Sequence, residues 1–289
     1  MNPLQKCYEK KLITPPDYVV SDLQYLTMMG SIAYGVSSDS SDVDIYGFCI
    51  PPKSVVFPHL DGVIHGFGRQ IQNFEQYQQH HIKYADDEYD FTVYSIVKFF
   101  QLCMQNNPNM IDSLFVPENC VLFQTDIGKL VRERRNIFLH KGAWHRFKGY
   151  AYSQLHKIRL KNPIGKRKIL VAEHGYDIKF AYHVVRLLNE VEQIMIEGTL
   201  DITRNREQLK SIRRGEWTIE QIEKYFVDKE KALEQVYASS KLQHSPDEEK
   251  IKALLLDCLE QHYGSISLIP RETEAEKKLK QIKAICNNF

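Results

Sequence analysis

The chain has 289 residues, a formal net charge of +1, 43% hydrophobic residues and 26% charged ones, enough apolar material for one large core or two modest ones. No apolar run reaches membrane-spanning length, and the first residues, with Lys10-Lys11 and Pro15-Pro16, do not read as a secretory signal. Six scattered cysteines (Cys7, Cys49, Cys103, Cys120, Cys258, Cys286) show no paired metal-ligand spacing, so free thiols in a soluble, cytoplasmic protein are expected.

The first predicted elements are apolar strands at 25–29 and 43–50, joined by a Gly/Ser-rich connection. The join reads Met28-Met29-Gly30-Ser31, ten further residues, then Asp42-Val43-Asp44-Ile45. In a strand, residues i and i+2 share a face, so Asp42 and Asp44 project side by side while Val43 and Ile45 turn to the core. Two carboxylates held together repel unless a cation lies between them. Hard oxygen ligands select magnesium, with phosphate oxygens completing its shell. Gly30 lets the backbone approach a ligand closely, and the N–H groups and hydroxyl from Ser31 onward can hold phosphate. A phosphate clamp beside paired aspartates is the equipment of metal-assisted nucleotidyl transfer. The plain alternative is a surface turn with Asp42 as a cap. Against it, Asp44 sits among Val43, Ile45, Tyr46, Phe48 and Ile50, where an unpaired charge is costly.

Pro51-Pro52 ends the second strand. Residues 54–70 read as strands and turns around an active-site rim. The acidic run Asp86-Asp87-Glu88-Tyr89-Asp90 opens a third strand at Phe91-Thr92-Val93-Tyr94. Ser95 caps a helix to about Gln105, Asn106-Asn107-Pro108-Asn109 stops it, and a short helix follows near 109–115. Beyond about residue 125 the pattern is helical. Residues 178–196 carry an apolar stripe (Phe180, Val184, Leu187, Leu188, Val191) ended by Gly198. Thr218 with Gln221 forms a capping box, and Ser245-Pro246-Asp247-Glu248 opens a last helix to about His262, with Ser245 as its cap. The expected fold is α+β, a small mixed β-sheet domain over residues 1–125 followed by an all-helical domain over 126–289.

The near-zero net charge conceals an asymmetry. Residues 1–128 hold seven Lys+Arg against fifteen Asp+Glu, whereas residues 129–168 hold thirteen against one, Glu133. A basic block interleaved with Phe138, Trp144, Phe147, Tyr150 and Tyr152 fits a surface for a triphosphate or a nucleic-acid backbone. A solvated helix face or a packed helical core has the same composition. His80-His81, His59 and His65 lack the flanking ligands of a zinc site and read as structural. No Walker-type loop or dinucleotide fingerprint is present.

The ordered set Gly30-Ser31-Ile32-Ala33-Tyr34-Gly35 and Ser41-Asp42-Val43-Asp44-Ile45-Tyr46-Gly47 resembles the DNA polymerase β-type nucleotidyltransferase superfamily. It is closest to the RlaP/YcgL-type bacterial and phage nucleotidyltransferases. Tyr94 to Phe100, Asn107-Pro108-Asn109 and Gly175-Tyr176-Asp177-Ile178-Lys179, with His183 and Arg186-Leu187-Leu188, extend the likeness over roughly residues 20–220. Phe180 departs from the histidine expected in that pattern. The resemblance implies a palm-like catalytic domain and a Mg2+-dependent enzyme with two ions, Mn2+ being the alternative. Such an enzyme moves NMP from an NTP, ATP included, to an acceptor hydroxyl. Asp42 and Asp44 are the expected metal and catalytic ligands, and a third carboxylate is required. Asp90 is the candidate, with Asp87 and Glu88 as alternatives.

Lys179, His183 and Arg186, spaced i, i+4, i+7, share a helix face and are read with Gly30 and Ser31 as nucleotide-binding. Asp177 is either a cap or a ligand. Tyr34 is read as a nucleotide contact or a core residue. Lys148, Gln154, Lys157 and Arg159 are weaker substrate-contact candidates. An RNA 3′ end, in RNA repair, is the expected acceptor; a protein side chain or a small molecule is the alternative. The competing reading is a catalytically silent nucleotide- or RNA-binding module.

Overall fold

The computed structural model describes residues 1–37, 42–57, 73–160 and 166–264. Five strands, β1 (Leu23–Met28), β2 (Val43–Cys49), β3 (Gln76–Tyr84), β4 (Asp87–Ser95) and β5 (Val121–Gln124), form one sheet in the order β3-β4-β2-β1-β5. The β2–β4 pair is parallel, while β1–β2, β1–β5 and β3–β4 are antiparallel. The sheet is therefore mixed, and helices supply the rest of the α+β fold.

Strand alternation sorts the side chains onto two faces. Leu26, Val43, Ile45, Phe91 and Val93 are buried against α1 (Pro3–Glu9) and α2 (Tyr18–Ser21). Tyr25 and Phe48 are buried on the opposite face. A single-turn helix α3 (Gly30–Ala33) leaves β1, and α4 (Lys53–Val56) follows the Pro51-Pro52 stop. The second face packs against α5 (Ile96–Met104) and α7 (Asp126–Glu133), and its apolar cluster continues through α6 (Pro108–Leu114), α8 (Gly142–Leu160), α9 (Lys166–His174), α10 (Ile178–Glu197), α11 (Arg206–Arg213), α12 (Ile219–Ser239) and α13 (Glu248–Tyr263). One apolar cluster joins Tyr25, Phe48 and Phe99 to Phe147, Leu188 and Leu254. The core is thus continuous across residue 125, which lies between β5 and α7.

Local chemistry explains the boundaries. Ser95 Oγ accepts from Lys98 N at 3.2 Å to start α5, and Asn107 caps α6 ahead of Pro108. Thr218 and Gln221 form both halves of a capping box on α12, and Gly198, at φ +66°, ends α10 in the left-handed conformation. One cap differs from expectation. Asp247, not Ser245, accepts from Lys250 N at 3.1 Å, and α13 starts at Glu248.

The rim expected at 54–70 begins as α4 and continues into residues 58–72, outside the described residues, as do His59, His65 and the spacer 38–41. The five described cysteines are free and buried; Cys286 lies outside the described residues. Among the described residues no helix is long and apolar enough to cross a membrane.

Candidate active site

The parallel β2–β4 register sets Asp44 directly beside Asp90, with Tyr46 beside Thr92 and Phe48 beside Tyr94 two and four residues on. Side chains at paired positions share a face, so the two carboxylates start a row that passes through Tyr46 toward Tyr94. Asp42 is exposed and sits one residue ahead of β2. Burial pushes the Asp44 carboxyl above the usual carboxylate range, and Asp90 pushes it the same way. Lys179 pulls it back, Asp42 adds to the rise, and His80 opposes it. Asp44 therefore sits where a further positive charge is needed.

Gly30 borders this carboxylate. Its φ is +63°, and a Cβ built on it would collide with Asp44 Oδ2. No residue other than glycine joins β1 to α3 here without displacing Asp44. The Met29 amide donates to Asp44 O at 2.7 Å, fixing the turn to β2, and Ser31 occupies the first turn of α3.

Asp90 is held from the β3 side. Between Gln79 and Ile82 the β3–β4 register slips, and His81 takes φ +59°. The bulge turns His81 N–H onto Asp90 Oδ1 at 2.7 Å and sets His80 Nδ1 3.2 Å from Asp90 Oδ2. Glu88 engages His81 Nδ1 at 2.6 Å, and Asp87 accepts from the Tyr89 hydroxyl at 2.9 Å. Of the three carboxylates considered for the third position, the register brings Asp90 beside Asp44. Three carboxylates are hard oxygen donors of the kind Mg2+ or Mn2+ takes. Yet among the described residues no group of three or more His, Cys, Asp and Glu side chains is gathered tightly enough to hold a metal ion. Both oxygens of Asp90 are committed to β3. His80 and His81, read from the sequence as structural, are therefore parts of this site.

The cations expected to face phosphate divide. Lys179, exposed in the first turn of α10, is close enough to lower the pKa of Asp44. His183 is half-buried with its ring 4.1 Å from Tyr182. Arg186 departs from the expected face. It is buried, with Nη1 bonded to Asp112 Oδ2, to the Tyr34 hydroxyl at 2.8 Å and to Glu190 at 2.9 and 3.0 Å. Its charge is met by carboxylates inside the protein, so the mutual repulsion that pointed to phosphate does not apply to it. Tyr34 belongs to the same network and donates to Asp112 Oδ2 at 2.8 Å. Asp177 caps α10, accepting from Lys179 N at 3.0 Å.

Three cations of the basic block are paired with distant carboxylates. Arg132 pairs with Glu118 at 2.7 Å, Arg134 with Asp257 at 3.3 Å and Lys148 with Glu230 at 2.6 Å. Arg135 lies over Phe115 and Lys141 over Tyr237. The Arg159 side chain lies outside the described residues.

The fold and site thus define an α+β protein with paired strand carboxylates and a glycine turn packed against one of them. The chain belongs to the RlaP family, the RNA repair pathway DNA polymerase beta family, whose sequence profile matches residues 10–261. It is similar to an uncharacterized 38.9 kDa protein of the nrdC-mobD intergenic region of Enterobacteria phage T4, at 26% identity over 134 residues. The match covers 46% of this chain and 37% of that relative, so the chain spans well under half of the relative's length. A nucleotidyltransferase-like protein from Exiguobacterium sibiricum 255-15 aligns over 90% of this chain and 79% of its own, at 9% identity and a TM-score of 0.30.

Proposed function

We propose that the protein is a divalent-metal-dependent enzyme that transfers NMP from an NTP to the 3′ hydroxyl of an RNA and releases pyrophosphate. The observation that carries this reading is the parallel register of Asp44 with Asp90, with Gly30 packed against Asp44. Asp42, Asp44 and Asp90 would hold Mg2+ or Mn2+, which supplies Lewis-acid stabilisation of charge on the reacting phosphate. The chain's own groups do the rest. The first-turn N–H groups of Ser31 and Ile32, together with Lys179 and His183, bind the triphosphate and align its α-phosphorus. The acceptor oxygen attacks that phosphorus and the bond to the β-phosphate oxygen breaks. The acceptor's proton passes to the Asp90 carboxylate, and the electron pair leaves on pyrophosphate. The division at residue 125 is then functional: the carboxylates come from the sheet half and Lys179 and His183 from the helical half.

One observation favours a second reading. Asp90 is satisfied by His80 and His81 without any ion, as it would be in a silent nucleotide- or RNA-binding module. Transfer of label from α-32P NTPs to RNA, with Asp42→Asn and Asp44→Asn as controls, separates the two. Transfer by the wild type that the substitutions abolish supports the enzyme. RNA binding with no transfer under any metal supports the module, and transfer that survives both substitutions rules out this site.

A further inference from the structure

Arg132, Arg134 and Lys148 of the basic block are paired with carboxylates, whereas Arg146 and Lys157 have no such pairing among the described residues. Along α8 an open hollow of about 360 Å³ is lined by His145, Arg146, Gly149, Tyr150, Gln154 and Lys157, with Ser153 at its edge. These positions recur at helical spacing and form one outward face, while Phe147 and Ala151 on the other side of α8 are fully buried. Among the described residues no carboxylate lines the hollow. Arg146 is exposed and has no ion-pair partner among the described residues, and Lys157 makes only a cation–π contact with Phe180, 5.8 Å away. Phe180 follows Lys179, so Lys157 leads toward the residue that faces Asp44.

Gly149 is an independent pointer. It lies inside a 19-residue helix, where glycine is unfavourable relative to alanine, yet a Cβ built there would meet nothing within 4 Å. No packing inside the protein requires it. Its bare backbone instead floors the hollow, where a ligand can come close. Tyr150 forms the wall toward the carboxylates. Its hydroxyl is held by Asn107 Nδ2 at 3.1 Å and lies within electrostatic reach of Tyr46 and Tyr94. Tyr46 in turn senses Asp44 and Asp90. Tyr150, on the wall of the α8 hollow, thus stands near the row that begins at the paired carboxylates and passes through Tyr46 toward Tyr94.

We propose that the α8 hollow is the seat of the phosphodiester backbone of a single-stranded RNA acceptor, whose 3′ end is led past Tyr150 to Asp44 and Asp90. Open shape, unpaired cations and aromatic walls suit a single strand, whose backbone follows a positive groove while its bases stack. This inference rests on the nucleotidyltransferase reading only for the direction of the strand; the binding site stands apart from catalysis.

The test is fluorescence anisotropy of a labelled 12-nucleotide single-stranded RNA across a salt series. It uses the full chain, Arg146→Glu/Lys157→Glu, Gly149→Leu, Gly149→Ala and Asp44→Asn, with thermal melting as a check on folding. The charge reversal is expected to weaken binding about tenfold or more and to lower the log–log salt slope by about one to two. Gly149→Leu is expected to weaken it several-fold, and Gly149→Ala to melt no lower than wild type. Asp44→Asn is expected to lose NMP transfer, and the α8 variants to lose RNA affinity, which separates the chemistry from the groove. Unchanged RNA affinity in folded α8 variants overturns the proposal while leaving the transferase reading intact, whereas a wild type that binds no RNA overturns it together with RNA as the acceptor. A loss confined to NTP binding, followed with a fluorescent ATP analogue, overturns it by assigning the hollow to the triphosphate. Equal loss with duplex RNA and with the single strand overturns the single-strand assignment.

Discussion

Two clusters in this protein crowd carboxylates together, and they are built in opposite ways. At the β2–β4 end, Asp44, Asp90 and Asp42 share a neighbourhood with Lys179 and His80 but enclose no buried cation, and burial leaves Asp44 with a raised pKa. Inside the helices, Asp112 and Glu190 close around Arg186, with Tyr34 as a fourth member, and all four are buried. The first arrangement has charge left over for something outside the chain. The second holds its own cation and ties α10 to α6 and to the end of α3. An excess of one sign at an opening marks a place for chemistry, whereas an enclosed, compensated charge marks a strut.

The comparison is tested hardest by removing charge from each cluster. Asp44→Asn is expected to lower NMP transfer roughly a thousandfold or more, since metal-assisted charge stabilisation is worth several kcal/mol. The same variant is expected to melt at or above the wild-type temperature at pH 7. The sign follows from linkage. A carboxyl whose folded pKa is raised binds its proton more tightly in the folded state, so its contribution is present at low pH and lost as pH rises through the folded pKa. At pH 7 the ionised Asp44 is a cost that asparagine removes. A melt well below wild type, with activity retained, would make this cluster the structural one. Arg186→Leu should behave in the reverse way, losing about 3–5 kcal/mol because the buried Asp112–Glu190 pair loses its cation. Denaturant unfolding measures that loss. A fully stable variant that merely binds NTP weakly would return Arg186 to the phosphate face.

Much of the first cluster was legible in the sequence, and much of the second was not. Asp44 stands out because an acidic residue inside an apolar strand needs a reason. Asp90 stands at the change from a polar turn to an apolar strand, and the register sets it beside Asp44. Strand β3 was missed because Gln76–Tyr84 is a polar edge strand with little apolar alternation. The role of His80 and His81 was hidden with it, since a bulge shows only in the pairing. Arg186 misled for a different reason. Its i+7 spacing from Lys179 is real, but α10 is wedged among α8, α11 and α12 and buries Arg186, Asn189, Glu190 and Gln193 along with its apolar stripe. Spacing along a helix identifies a face without saying what covers it. Glu118, Glu230 and Asp257, which pair with Arg132, Lys148 and Arg134, lie outside the window in which the basic excess was counted, so the count overstated the uncompensated charge of the block.

Gly30 provides a test of intermediate size. Gly30→Ala puts a side chain at φ +63° and against the Asp44 carboxylate. A cost of about 1–2 kcal/mol is expected for the left-handed conformation alone. Displacement of Asp44 is expected to lower transfer far more than that loss of stability would. Unfolding and transfer measured on the same preparation separate the two effects, and a variant with wild-type kcat would show that the close approach of Gly30 to Asp44 has no part in the chemistry.

The smallest expected effect is the sharpest test of the strut. Burial pushes the Glu190 carboxyl well above the usual carboxylate range; Arg186 pulls it back, while Asp112 adds to the rise. Asp112 is raised by burial too, but it accepts from both Arg186 and Tyr34. One guanidinium cannot neutralise two buried carboxylates, and the stronger upward push on Glu190 predicts that the proton is held there rather than on Asp112. Glu190→Gln, which preserves shape and neutrality, should then change stability by less than about 1 kcal/mol at pH 7. Glutamine also removes a titration. In the wild type this group's contribution is complete below the unfolded carboxyl pKa and shrinks as pH rises toward the raised folded pKa. The stability curve of Glu190→Gln should accordingly be flatter than that of the wild type from acid to neutral pH. A loss of several kcal/mol at pH 7 would mean that Glu190 is ionised, that Arg186 is shared equally between two carboxylates, and that the strut carries the same surplus of negative charge as the site it was contrasted with.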